Sequence, residues 1–171
     1  MLSVTDAIRT LRAVRRFGDA PLPEEDVRAI LNAGRRAQSS KNVQPWQFVA
    51  VRDKQTLQQL SQCGDFAGHL ASAALGVVLC TPASEREAWV AYDLGQATAY
   101  MQLAAWELGI GSCIAAMYEP EKAGAILGVP SDYAVGVAIS FGYPQDEQTT
   151  SRPPRAGGRR PLDELVRWDQ W

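Results

Sequence analysis

The sequence has few of the residues that usually carry catalysis or bind metals. His69 is the only histidine in the 171 residues, which excludes a metal site built from several histidines, such as the HExxH type. The three cysteines lie far apart without CxxC spacing, so we expect neither a disulfide framework nor a zinc site. The sequence has no GxSxG turn for a serine nucleophile and no GxxxxGKS/T loop for phosphates. An enzyme of this composition needs a bound cofactor to supply its difficult chemistry.

Charge and hydrophobicity bear on the partners and the location of the protein. The formal net charge of −2 gives no reason to expect nucleic acid or an anionic membrane as the main partner. The longest apolar runs, such as residues 74–80, are too short to span a bilayer, and the start of the chain lacks the apolar block of a signal peptide. We therefore expect a cytoplasmic protein. With 46% hydrophobic residues, residues 1–171 are sufficient for a single domain with a real core.

Hydrophobic periodicity predicts more helix than strand. Helices are predicted at about residues 4–12, 23–37, 53–63, 85–108 and 119–128, and strands at about residues 47–52, 74–80, 111–117 and 133–143. The helix at 85–108 is long and apolar on most sides, which is typical of a central buried helix. These patterns predict an α+β fold in which a small sheet is covered by helices.

A polar loop precedes the first predicted strand. Residues 38–45 read QSSKNVQP and crowd together side-chain amides and hydroxyls, namely those of Gln38, Ser39, Ser40, Asn42 and Gln44. A planar polar ligand would explain these groups, since each donates or accepts hydrogen bonds. A loop that only satisfies its own backbone would explain them as well.

Arginines recur at two places. Arg12 and Arg15 are three residues apart at the end of the first predicted helix, so they can converge on one anion such as a terminal phosphate. Arg159 and Arg160 lie in a Pro/Gly/Arg-rich tail and could return to the same phosphate. A solvated basic turn and a surface tail are the alternatives. The GxG of LGIGSC follows a helix and leads into a strand, the reverse of a dinucleotide fingerprint, and so indicates a helix C-terminal turn.

The order of these motifs resembles the nitroreductase family of flavin enzymes along nearly the whole chain. An Arg-x-x-Arg-x-Phe run follows the first helix, and an S-x-x-N-x-Q-P-W-x-F loop follows the second. A G-x-G-S-C turn follows the long helix, and an R-R-P-L-x-E-L-V tail closes the chain. The resemblance implies FMN as the cofactor and a nitroreductase-like α+β fold with a small, mostly antiparallel sheet and a long central helix.

The resemblance also implies which positions contact FMN. Ser39, Ser40 and Asn42 match the positions that hold the ribityl chain and the isoalloxazine edge, and Gln44 matches a position that orders the loop. The matching phosphate or ribityl ligands are Arg12, Arg15 and at least one of Arg159 and Arg160. In the family, the backbone of one strand faces the flavin ring, and Ala115 and Ala116 stand at the matching positions of this chain. Ala13 stands at a cofactor position where many relatives carry serine, and Leu11 where they carry arginine, so two contacts are missing.

The family resemblance further implies a homodimer that uses NAD(P)H in a ping-pong reaction. The second substrate is a small electron acceptor, such as a nitroaromatic, a quinone or an enone, and no side chain has to act as a general acid. Two alternatives stay open: a specialised flavin-cleaving or dehalogenating enzyme, and a flavin-binding module without turnover. Some relatives place a cationic donor near His69, although we expect an ordinary surface or helix-end histidine there.

Overall fold

The computed structural model describes residues 2–83, 87–153 and 158–171. These residues form the helices α1 (Val4–Thr10), α2 (Glu24–Arg35), α3 (Lys54–Leu60), α4 (Glu87–Glu107), α5 (Pro120–Leu127) and α6 (Leu162–Leu165). The strands are β1 (Gln47–Val51), β2 (Leu75–Pro82), β3 (Gly111–Ala116) and β4 (Tyr133–Gly142). All predicted helices and strands are present, within a few residues of the predicted bounds. Residues 85 and 86, at the start of the predicted long helix, lie outside the described residues.

The four strands form one antiparallel sheet. Their order is β1-β2-β4-β3, and every neighbouring pair is antiparallel. This confirms the predicted α+β fold with a small antiparallel sheet. β1 and β3 are therefore the two edge strands, at opposite sides of the sheet.

Helices cover both faces of the sheet. On one face α2 and α4 pack against β2 and β4 through side chains such as Leu75, Val77 and Phe141. On the opposite face α3, α5 and a 3-10 turn at Gly68–Ser72 pack around residues such as Leu57 and Val78. Because β2 is buried on both faces, its sequence is a continuous apolar run without alternation.

The first half of α4 is buried along one side only, whereas near its end Trp106 is also buried, in a second cluster that includes Ala7 of α1. Ala97, Met101 and Ala105 are fully buried in the core. Near its start, Trp89 and Tyr92 are each 65% exposed, so α4 carries more apolar surface than the core of one chain covers. No helix in the described ranges is long and apolar enough to cross a membrane.

An extended segment follows α1 and runs along the outer edge of β3. The Val14 N–H donates to the Ser112 carbonyl at 2.9 Å, and Ala13 pairs with Ser112 in an isolated parallel β-bridge. A glycine at 111 permits this approach, because a Cβ there would lie 2.7 Å from the Val14 side chain. Since the segment turns to join the sheet, α1 ends at Thr10 rather than at residue 12 as predicted.

Candidate cofactor site

Arg12 and Arg15 both lie beside β3. Arg12 is tied to the backbone, because its Nη2 donates to the Arg152 carbonyl at 2.6 Å and its Nε to the Thr10 carbonyl at 3.3 Å. Arg15 is exposed, and its charge lies close enough to the Cys113 thiol to act on it. Burial raises the pKa of Cys113, and the charge of Arg15 opposes this shift. The two arginines predicted to bind phosphate therefore lie along the same sheet edge.

His69 is buried beside Arg15, which corrects our expectation of a surface or helix-end histidine. The residue is 7% exposed, and its Nδ1 lies 2.8 Å from the Ser140 Oγ on β4. Its pKa is lowered, first by burial and then by the charge of Arg15, so the imidazole is neutral at pH 7. The Nε2 atom is buried and has no hydrogen-bond partner among the described residues. An unpaired buried polar atom costs about 1–3 kcal/mol, and a bound ligand or water would remove that cost.

The sequence could not reveal the environment of His69. It lies in a short 3-10 turn, which has no periodic signal, and its partner Ser140 is 71 residues away along the chain. The one sequence feature that pointed to His69 was its place in the chain, near a region where some relatives have a cationic donor.

The outer edge of β3 has further backbone groups beyond Ser112. Val14 pairs with the Ser112 carbonyl from outside the sheet, and the direction of the backbone groups alternates along a strand. The N–H and C=O groups of Ile114 and Ala116 therefore also point outward, whereas those of Ala115 face Ala138 in β4. The Ile114 carbonyl accepts from the Cys113 thiol at 3.6 Å, and the Ala116 carbonyl lies against Gly64, so the outward groups left for a ligand are the N–H groups of Ile114 and Ala116.

Two hydrogen bonds hold the polar loop in place, one within the loop and one to α4. The Gln44 N–H donates to Ser39 Oγ at 2.9 Å, and the Ser40 N–H donates to Asp93 Oδ2 at 3.1 Å. Asp93 belongs to α4 and is only 5% exposed, and the sequence did not single it out. The Asn42 amide has no side-chain hydrogen bond within the described part of the chain, so it is available to a ligand.

The loop adopts a backbone that is uncommon for its residue types. Lys41, Asn42 and Gln44 have φ values of 52°, 57° and 52°, in the left-handed region that residues other than glycine rarely occupy. Such conformations persist where surrounding contacts fix them, and they cluster at ligand sites. Trp46 follows the loop, is 7% exposed and stacks on Phe48, as expected of a packed aromatic.

The loop and the arginines lie at opposite edges of the sheet. The loop leads into Gln47 at the start of edge strand β1, while Arg12 and Arg15 flank edge strand β3. Neighbouring strands are about 4.8 Å apart, so the two edges are separated by about 14 Å. One chain therefore does not bring the two predicted halves of the site together.

The C-terminal arginines are exposed. Arg159 and Arg160 lie in a bend without a described hydrogen bond, and residues 154–157 before them are outside the described ranges. The contact of Arg12 with the Arg152 carbonyl brings the start of this tail to the arginine cluster. No group of three or more His, Cys, Asp and Glu side chains suited to a metal occurs among the residues that the structure describes.

Comparison with known proteins identifies the family. The sequence model of the Nitroreductase family matches residues 8–64 and 65–143, and the chain belongs to this family. A protein of Archaeoglobus fulgidus described as an NADH dehydrogenase/NAD(P)H nitroreductase is 36% identical over 149 residues, which is 82% of this chain and 85% of the relative. The NADPH-flavin oxidoreductase of Vibrio harveyi is 26% identical over 172 residues, covering 90% of this chain and 71% of that protein.

A solved structure agrees closely in fold. The FMN-dependent nitroreductase of Clostridium difficile R20291 superimposes with a TM-score of 0.86 at 30% sequence identity. The match covers 96% of this chain and 98% of that chain. This confirms the nitroreductase-like fold that the motif order predicted.

Proposed function

We propose that residues 1–171 form one FMN-binding domain of an oxidoreductase that uses NAD(P)H to reduce a small organic electron acceptor. The family and the names of the relatives support this class of reaction. The observation that carries the proposal for this chain is the β3 edge. There, Arg15, the unpaired Nε2 of His69 and the outward N–H groups of Ile114 and Ala116 lie together.

The residues along the β3 edge fit FMN. Arg12 and Arg15 would hold the phosphate, because guanidinium groups make strong charge-assisted hydrogen bonds to phosphate oxygens. The β3 backbone and His69 Nε2 would pair with polar atoms of the cofactor. One of Arg159 and Arg160 would add a further contact to the phosphate. Bound FMN would supply the two-electron chemistry that no side chain of this site provides.

We further propose that the functional unit is a homodimer with two shared sites. Ser39, Ser40 and Asn42 lie at the sheet edge opposite Arg15, so they can complete a site only if a second copy supplies them. The exposed apolar side chains of Trp89, Tyr92 and Ile114 offer surface that a second copy would cover. Within this dimer, Gln44 acts indirectly by holding the loop against Ser39.

The site is expected to accept both substrates in turn. β2 ends at Pro82 and α4 begins at Glu87, so this part of the chain has little room for an inserted helical lid, and we infer an open pocket with few selective contacts. By its family resemblance we also expect ping-pong kinetics, in which oxidised NAD(P) leaves before a nitroaromatic, quinone or enone enters the same place. The three buried cysteines are free thiols, which agrees with a reducing cytoplasm.

The absorbance spectrum of the purified protein tests the proposal directly. We expect a yellow protein that releases FMN rather than FAD, and that oxidises NADH or NADPH when a quinone is added. A colourless protein that does not quench FMN fluorescence would refute the proposal. FMN binding without NAD(P)H oxidation would instead support a binding module, and loss of the flavin spectrum during turnover would support a flavin-cleaving enzyme.

A further inference from the structure

A turn after β4 lies against the extended segment that follows α1. We call residues 144–152 the Asp146 turn. The Gln145 N–H donates to the Arg16 carbonyl at 3.0 Å, and the first residue of the turn pairs with Phe17 in an isolated antiparallel β-bridge. The turn is therefore joined to the same segment that carries the two arginines assigned to the phosphate.

Asp146 fixes the shape of this turn. Its Oδ1 accepts the Gln148 N–H at 3.0 Å, and its Oδ2 accepts a hydrogen bond from Arg152 Nη2 at 2.6 Å. The Arg152 N–H also donates to the Gln148 carbonyl at 3.0 Å. Because the side chain and the backbone N–H of Arg152 are both held, the position of its carbonyl is fixed as well.

The Arg152 carbonyl is one of two carbonyls that hold Arg12. It accepts from Arg12 Nη2 at 2.6 Å, and the Thr10 carbonyl accepts from Arg12 Nε at 3.3 Å. Thr10 is fixed in turn, because the buried Trp106 donates to its Oγ1 at 2.9 Å. The Arg12 guanidinium therefore lies between two anchored carbonyls.

These contacts orient Arg12 without neutralising its charge. A carbonyl carries no net charge, and within the described ranges Arg12 forms no ion pair with an acidic side chain at 4.0 Å or less. A guanidinium also has more N–H donors than the two carbonyls occupy. The remaining donors and the full positive charge are available to an anion such as phosphate.

We propose that Asp146 is a positioning residue for the phosphate of the cofactor. It acts through Arg152, whose carbonyl holds the Arg12 guanidinium in the orientation that binds the phosphate. This role rests on the proposed function, in which Arg12 is a phosphate ligand. A side chain that is already held loses less conformational entropy when its ligand binds, so the Asp146 turn strengthens FMN binding without touching FMN.

The direction of the effect separates positioning from simple charge. If Asp146 acted only through its own charge, its removal would strengthen FMN binding, because a carboxylate repels a phosphate. Release of Arg152 from the ion pair would also strengthen FMN binding, since it frees a cation. Positioning predicts the opposite result, which is weaker FMN binding.

Fluorescence titrations with FMN and riboflavin measure this effect. Asp146→Ala should weaken FMN binding about two- to fivefold, as expected for the loss of an exposed ion pair. Riboflavin binding should stay almost unchanged, because riboflavin has no phosphate for Arg12 to contact. Asp146→Asn keeps an acceptor for the Gln148 N–H but offers Arg152 only a neutral, weaker acceptor, so its FMN affinity should lie between those of the wild type and Asp146→Ala.

Glu24→Ala is the matched control. Glu24 forms an ion pair with Arg52 at 2.6 Å, the same distance as in the Asp146–Arg152 pair, and the side chains of both pairs are about half exposed. Glu24 belongs to α2 and has no described contact with Arg12 or Arg152. Its removal should leave the affinity for FMN unchanged.

Two further measurements show whether Asp146 acts through Arg12. In an Arg12→Ala background, Asp146→Ala should cause no further loss of FMN affinity. In the FMN-free protein, the heteronuclear NOE of the Arg12 Nε–H group should fall in Asp146→Ala, because the side chain gains fast motion. The Nε–H group of Arg35, which donates to Asn32 Oδ1 at 3.1 Å, should keep its value and serves as the internal reference.

The outcomes distinguish this inference from the proposed function. Unchanged or tighter FMN binding by Asp146→Ala would overturn the inference and leave FMN binding by the wild type intact. Equal losses for FMN and riboflavin, or a full further loss in the Arg12→Ala background, would show that Asp146 does not act through Arg12 and would overturn it as well. A wild-type protein that binds FMN no more tightly than riboflavin would refute the phosphate site itself, and with it both proposals.

Discussion

Replacing Arg15 tests the assignment of the phosphate site. Arg15 is exposed and has no ion pair with an acidic group of the described residues within 4.0 Å, and its described contacts are with Cys113 and His69. Arg15→Ala therefore removes few interactions of the protein itself. Arg12→Ala is less specific, because Arg12 also holds the Arg152 carbonyl. A charge-assisted contact to phosphate contributes about 1.5–3 kcal/mol, so Arg15→Ala should weaken FMN binding about ten- to a hundredfold.

The assay compares FMN with riboflavin, which lacks the phosphate. Fluorescence titrations should show a loss of FMN affinity in Arg15→Ala and almost unchanged riboflavin affinity. Arg35→Ala is the control, because Arg35 is exposed on α2 and donates to Asn32 Oδ1 at 2.8 and 3.1 Å. Equal losses for both ligands would indicate damage to the fold. Unchanged FMN affinity in Arg15→Ala would refute the phosphate assignment.

Two further predictions concern the packing of the β3 edge. Gly111→Ala should lower the free energy of unfolding by about 1–3 kcal/mol, because the added methyl group would overpack against Val14. Gly18→Ala is the control, since a Cβ at Gly18 has no atom within 4 Å, and it should change the free energy of unfolding by less than about 0.5 kcal/mol. Equal urea midpoints for the two variants would contradict the close approach of Val14 to residue 111. Because the pKa of His69 is lowered from its usual 6.5, the unfolded chain binds a proton first, so stability should fall as the pH drops below about 6.5. His69→Gln should remove the part of this decrease that begins below about pH 6.5, and an unchanged pH profile of the urea midpoint would show that His69 is not the cause.

The sheet and its helices were predictable because their local patterns agree with the tertiary structure. The amphipathic residues of α2 and the apolar run of β2 each have one arrangement that buries them. The end of α1 was predicted two residues too late. There the pairing of Val14 with Ser112 overrides helical spacing, and a contact between residues so distant in sequence leaves no local signal.

The candidate site was predictable only in parts. The polar loop and the arginine pair could be found from short motifs, although the bond from the Gln44 backbone N–H to Ser39 Oγ was not predicted. The roles of His69 and Asp93 depend on Ser140 and Ser40, which are 71 and 53 residues away. The separation of the loop from the arginines depends on strand order, because β1 and β3 become opposite edges only when β2 and β4 lie between them.

Mixed dimers test the shared site most directly. Arg15→Ala and Asn42→Ala chains, each weakened in FMN binding as a homodimer, are unfolded together, refolded and assayed at a limiting FMN concentration. If each site takes Arg15 from one copy and Asn42 from the other, a mixed dimer has one intact site and one doubly altered site. Random pairing should then restore FMN binding at about a quarter of all sites. Mixtures of two differently tagged Arg15→Ala chains should restore none. No recovery in the mixed sample, or light scattering that shows an FMN-loaded monomer, would contradict the shared site.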